Sequence, residues 1–189
     1  MTSKNDPLNL LKQNYLNRYN IHRSKETALN SGCIAALQRN PTYTNNLSPS
    51  KKERVREEWK RLLESIGKKY NKPQTIKQFK KDISTLKQRM NNTFPDSFNN
   101  GEYDNEFRLS HAQKSLSVYL KHLWCMGEIP EPPTCPIDRV VLTRAGLHGK
   151  AASWGYINDM DIYEDKLKTV SVKAEESGLS VARWELLNF

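Results

Sequence analysis

The sequence predicts a mostly α fold, a compact multi-helix bundle, and three observations carry that expectation. Apolar residues recur at three- and four-residue steps along most of the chain. Caps and breakers bracket those runs. No alternating stretch with a hairpin turn and no internal repeat is present. A chain of 189 residues with 37% hydrophobic residues is long enough to bury a core without disulfide staples, and eight Gly and nine Pro match neither a collagen-like nor a low-complexity composition.

Leu8, Leu11, Tyr15 and Tyr19 mark a first short helix, and Ala28 to Leu37 a second that Asn40-Pro41 stops. Ser48-Pro49-Ser50 is a capping sequence, after which Val55, Trp59, Leu62, Leu63, Ile66 and Tyr70 line one helical stripe that Lys72-Pro73 ends. Ile76, Phe79, Ile83, Leu86 and Met90 repeat the scheme. The 50–90 stretch therefore reads as a helix pair with apolar sides inward and lysines outward. Residues 91–107, with Asn99-Asn100-Gly101, form a connecting loop, a seam that allows two helical lobes: 1–90 before it and 108–189 after it. Ser110 then caps a helix carrying Leu116, Tyr119, Leu120, Leu123 and Trp124, closed by Gly127. Four prolines among residues 130–136 force a rigid crossing. Ile137 to Ala145 resumes helix up to Gly146, Trp154 to Val172 gives one or two more, and Ser177 to Phe189 ends in an amphipathic turn.

Charge is distributed unevenly. The chain carries 30 Lys and Arg against 21 Asp and Glu, and the whole excess of +9 lies between Lys51 and Met90, the remainder summing to zero. A localised excess favours a binding surface for polyanions, nucleic acid first, over a general solubility device. The candidate contacts are Lys51, Lys52, Arg54, Lys60, Arg61, Lys68, Lys69, Lys72, Lys77, Lys80, Lys81, Lys87 and Arg89. The competing expectation is a merely solvated lysine-rich face. A membrane surface fits less well, because Glu53, Glu57, Glu58, Glu64 and Asp82 interrupt the cations. No apolar run approaches the roughly 20 residues that span a bilayer, and Met1 to Leu10 lacks an apolar signal core, so a cytoplasmic protein is expected. Three cysteines at unrelated spacings point to reduced thiols.

Phosphate-binding loops, dinucleotide glycine patterns, paired metalloprotease histidines and nucleophile elbows are missing from the sequence. Cys125, Cys135, His122 and His148 offer soft ligands, but at no finger spacing, and small buried thiols are the ordinary alternative. Asp159, Asp161 and Glu164 offer hard ones, although acids at a helix start are commonplace. Neither set leads to an expected metal or other cofactor.

The segment from Ser110 to Leu147 is the most informative. Lys114 opens an Ala- and Leu-containing helix, Pro136-Ile137-Asp138 follows the crossing, and Arg144-Ala145-Gly146-Leu147 closes a second helix. Over these 38 residues the chain resembles the catalytic part of the helix-hairpin-helix DNA glycosylases. The resemblance implies Lys114 in that family's lysine position, Asp138 in its aspartate position, and excision of a damaged or modified base, with lyase activity where the lysine attacks. Two departures stand out. Phe107-Arg108-Leu109-Ser110 replaces the glycine-containing hairpin that anchors phosphate, and the Pro-rich crossing lengthens the separation between Lys114 and Asp138.

Such chemistry suits the residue types. Cleaving an N-glycosidic bond places positive charge on the sugar, which a carboxylate stabilises and an amine can capture. Extruding a base calls for stacking partners, for which Tyr119, Trp124, Trp154 and Tyr156 are the candidates; core packing accounts for aromatics equally well. Asp138 after Pro136 also fits a plain helix cap, and Lys114 in the first turn of a helix opposes its dipole. The expectation is thus a protein that binds DNA, duplex before single strand, with no obligate protein partner and with base excision at Lys114 and Asp138. The rivals are a non-enzymatic nucleic-acid-binding regulator or mobile-element factor using the same basic helices, and a module for an acidic protein surface.

Overall fold

A computed structural model describes residues 6–38, 42–98 and 106–189, and its regular structure is entirely helical among those residues. The expected breaker at Asn40-Pro41 and turn at Asn99-Asn100-Gly101 lie outside the described residues. Most helices begin where a short polar side chain satisfies an orphan amide. Asp6 accepts from Leu8 N at the start of α1, Pro7–Tyr19, and Ser24 accepts from Thr27 N at the start of α2, Lys25–Leu37. Ser48 caps α3, Pro49–Gly67, with Pro49 in its first turn, where no amide partner is needed. A 3-10 turn, Lys68–Asn71, leads towards Thr75, which caps α4, Ile76–Thr93.

The next helix, α5, Leu109–Met126, departs from the expectation at its start. Its cap position is Arg108, and Ser110 lies inside, its N–H donating to Ile157 O at 2.7 Å and its hydroxyl to Gly155 O at 2.8 Å. An arginine side chain cannot accept an amide hydrogen bond, so the third helical residue serves instead: His111 Nδ1 accepts from Arg108 N–H at 3.1 Å. Nε2 must then hold the ring proton, and it donates to Thr42 Oγ1 at 2.8 Å. Complete burial, with Arg108 nearby, holds this imidazole well below its ordinary pKa and therefore neutral. Gly127 ends α5 at φ 78°, a left-handed conformation that glycine adopts without strain.

Asp138 opens the shorter α6, Arg139–Arg144, and Gly146 at φ 97° turns the chain after it. The predicted Trp154–Val172 helix starts later and runs further, as α7, Met160–Glu176, capped by Asp159. Residues 148–158 instead form a short 3-10 helix, Gly149–Ala152, followed by a tight turn. Ser180 caps α8, Val181–Asn188.

The bundle is built around α5. Helices α1, α2, α3 and α4 pack on it, and every residue from Leu109 to Cys125 is buried. The backbone of α2 approaches that of α5 closely: a Cβ added to Gly32 would lie 2.7 Å from the carbonyl oxygen of Ser115. One continuous apolar core runs from Ala28 of α2 through Trp59, Leu86, Leu120 and Leu142 to Trp184 of α8. The regions before and after 91–107 therefore share a single core and do not stand as separate lobes. No described helix is long and apolar enough to cross a membrane.

Candidate functional site

The basic helix pair forms as the apolar stripes predict. Val55, Trp59, Leu62, Leu63 and Ile66 of α3 and Phe79, Ile83, Leu86 and Met90 of α4 are buried, which turns the remaining positions outward. At 3.6 residues per turn, Arg54 and Arg61 then fall on the flank of α3 next to α4, and Lys68 is exposed just past the end of that helix. Two observations agree with that placement. Arg54 and Lys51 line a surface hollow of about 210 Å³ together with residues 93–97 at the end of α4. The carboxylate of Glu58, held below its usual range chiefly by its hydrogen bond from Arg61, also feels Arg89 of α4. Lys77 and Lys81 are exposed on α4, and Lys72 is exposed on the link between the helices.

Not all thirteen candidate cations share that surface, which corrects the expectation of one face. Lys60 lies on the other flank of α3, acting with Arg56 on Cys33 of α2, and Lys52 stands 5.8 Å from the Tyr43 ring centre. Lys80 pairs with Glu164 of α7 at 2.5 Å, and Lys87 with Glu106 at 3.2 Å. Lys69 is drawn to Asp82 at 2.6 Å, a fully buried carboxylate that also accepts from Tyr70 OH at 3.1 Å and Gln78 Nε2 at 3.1 Å, closing the turn between α3 and α4. The physical reason for the split is helical periodicity: 14 cations over 40 residues cannot occupy one side of two helices whose inner sides are apolar. Lys51, Arg54, Lys68, Lys72, Lys77, Lys81 and Arg89 carry no ion pair among the described residues.

Lys114 and Asp138, 24 residues apart, are brought together. Lys114 Nζ donates to Asp138 Oδ2, while Asp138 Oδ1 accepts from Val141 N at 2.9 Å, so the carboxylate is an ion-pair partner and the α6 cap at once. Gln113 fixes the approach by a two-way clasp on Ile137, donating to its carbonyl at 2.8 Å and accepting from its N–H at 3.1 Å. Trp154 covers the ammonium, 5.8 Å from Nζ to its ring centre. Because α5 starts at Leu109, Lys114 is its sixth residue, beyond the first turn, and the helix dipole acts on it only weakly.

The aromatic candidates separate into two kinds. Tyr119 is buried against Gly67, and Trp124 lies in a satellite core with Tyr15, Leu16 and Leu186 under the Lys12 ammonium, so neither offers a face to an extruded base. Trp154 is half-buried, and Tyr156 is 57% exposed.

Seven residues beyond Lys114, one feature was not legible in the sequence. Lys121 and Glu185 form an ion pair at 2.8 Å whose side chains are 4% and 2% exposed. The Phe189 ring lies 3.7 Å and the Tyr15 ring 4.4 Å from the ammonium. Burial pushes the Glu185 carboxyl upward, against the opposing pull of Lys121. An i, i+7 spacing of lysines was the available signal, but it looks like an exposed stripe unless the carboxylates of α6 and α8 are already known to face it.

The soft-ligand residues do not converge, and among the described residues no group of three or more His, Cys, Asp or Glu could hold a metal ion. Cys33, Cys125 and Cys135 are buried free thiols, and burial raises Cys33 and Cys125 to about 12, far from thiolate chemistry. Asp159 is occupied as the cap of α7, accepting from Asp161 N and Ile162 N. Comparison with protein-family models, with curated proteins and with solved structures finds no match to this chain.

Proposed function

We propose that this protein binds nucleic acid, duplex DNA first, through the cationic seam between α3 and α4. The observation that carries the reading is the basic hairpin itself: the net charge of the whole chain is concentrated in two helices anchored by their apolar sides, and nine of the fourteen cations there remain without a carboxylate partner among the described residues. Such groups displace condensed counterions from phosphates, so affinity should fall with added salt, with a log–log slope of about 0.9 per phosphate neutralised. Anisotropy titrations of a labelled duplex across a salt series test it. The variant Lys68→Glu, Lys81→Glu, Arg89→Glu should bind more weakly and with a shallower salt slope. An unchanged slope moves the contact elsewhere, and a wild-type protein without a measurable complex at about 50 mM salt ends the reading.

A second reading, base excision, draws support from one observation: the lysine and aspartate singled out by the glycosylase resemblance meet, beneath an aromatic ring. For chemistry the pair must open, since both Asp138 oxygens are already engaged. Duplexes holding modified bases, incubated with the protein and then treated with alkali, should show strand cleavage that Asp138→Asn abolishes. Cleavage that survives Asp138→Asn excludes this aspartate, and a panel left intact favours a binding protein without enzymatic action.

A further inference from the structure

We propose that residues 139–156 form a second nucleic-acid contact, one that takes an unpaired strand, with the exposed Tyr156 and the partly exposed Trp154 as stacking surfaces and Arg139, Arg144 and Lys150 as phosphate partners. The proposal rests on the reading of the chain as a nucleic-acid-binding protein, but on different residues. Between Arg139 and Tyr156 the sequence has three full cations and His148, and no acid. Arg139, Arg144, His148, Lys150 and Tyr156 are all exposed.

Consecutive tight turns fix the backbone that carries these groups. Leu147 N–H returns to Leu142 O at 2.9 Å, Ala151 N–H to His148 O at 3.1 Å, Ser153 N–H to Lys150 O at 3.0 Å and Ile157 N–H to Trp154 O at 3.1 Å. The coil is fastened at both sides. Ser110 of α5 grips Gly155 and Ile157, and Lys166 of α7 donates to Ala151 O at 2.6 Å. An exposed tyrosine on a backbone so constrained loses little further freedom when a base lands on it. Cations interleaved with aromatic faces are what a single strand needs, because every base has a π-face and every linkage a charge. A duplex hides its base faces and has no use for Tyr156.

The test measures binding of a labelled twelve-residue oligothymidylate and of a labelled duplex by the full chain. Tyr156→Ala should weaken the oligothymidylate complex about tenfold, with Tyr156→Phe restoring it, and should leave the duplex complex unchanged. Arg144→Glu with Lys150→Glu should weaken the same complex and reduce its salt slope. Circular dichroism melts confirm that each variant is folded. If Tyr156→Ala matches wild type on oligothymidylate while the α3–α4 triple variant loses both ligands, this second contact is refuted and the α3–α4 reading stands. Equal losses on both ligands refute the single-strand assignment. Failure of wild type to bind either ligand refutes the α3–α4 reading and this one together.

Discussion

Lysine is used in two opposite ways in this molecule. On α3 and α4 most lysines stand in water beside an apolar stripe, Lys80 and Lys87 with their carboxylate partners excepted, and any function of the unpaired ones must come from a partner outside the chain. On α5 lysine points into the protein: Lys114 and Lys121 are buried, each against one carboxylate from a later helix. The same side chain is thus a surface charge in one region and a docking pin in the other. The difference teaches that a basic composition locates an interface only after the cations with internal partners have been removed. An ion pair out of water gains little net stability over an apolar pair of the same shape, yet breaking it on one side is costly. The buried pairs therefore fix which helix lies where, while the exposed lysines are nearly neutral to folding.

The contrast breaks most directly at Lys121. Lys121→Met should cost about 3–5 kcal/mol in urea unfolding, because Glu185 is left buried and alone, and adding Glu185→Leu should return most of it. A single variant within 1 kcal/mol of wild type, on the order of an exposed pair, would mean that water reaches the pair.

Next in size is a pH effect on the same helix. Burial, helped by the neighbouring Lys121 charge, lowers His122 to about 4, from an ordinary value near 6.5. The unfolded chain takes up this proton first, so the stability linked to His122 is complete above pH 6.5 and is lost as the pH falls towards 4, about 3 kcal/mol in all. Glu185, pushed upward by burial, works with the opposite sign, since its protonation favours the folded state. The informative measurement is therefore the difference between wild type and His122→Asn, whose unfolding free energy should vary less between pH 7 and pH 4.5. Parallel profiles would contradict the assignment.

Smaller again is the closeness of α2. Gly32→Ala sets a methyl group against the Ser115 carbonyl and should cost about 1–3 kcal/mol in the same urea assay, whereas Ser31→Ala, one residue earlier on the partly exposed side of α2, should be close to neutral. The smallest expected effect sharpens the comparison from the other side. Lys68→Glu with Lys81→Glu should leave the unfolding free energy within about 0.5 kcal/mol of wild type; a larger change would show that these two serve the fold.

The existence of most helices was legible because it depends on local signals: Ser48 and Asp138 each accept an amide where a cap is required, and Gly127 turns left-handed where a helix must end, whereas the start of α7 lies at Asp159 and not at Trp154. The α5 start was misplaced at Ser110 because the cap there is made by a histidine three residues in, which looks like an interior residue. Burial of the polar side of α5 was not legible either. Gln113, Lys114 and Lys121 meet partners 24 to 64 residues away, and no local periodicity encodes those meetings. For the candidate site, the total charge of the basic hairpin could be counted from the residues, but its division between the seam and the flanks depends on helix phase and on neighbours such as Glu164 and Tyr43.

The Lys121–Glu185 link has a consequence for how the chain is made. Glu185 leaves the ribosome 64 residues after Lys121, a delay of roughly 3–13 s at ordinary elongation rates. During that interval the nascent central helix holds an ammonium group whose destined neighbour has not yet been polymerised. It can stay hydrated or borrow a counterion, but it cannot settle. Final closure of the bundle therefore waits until α8 has been translated, and shortened products ending before α8 should be early targets for quality-control proteases.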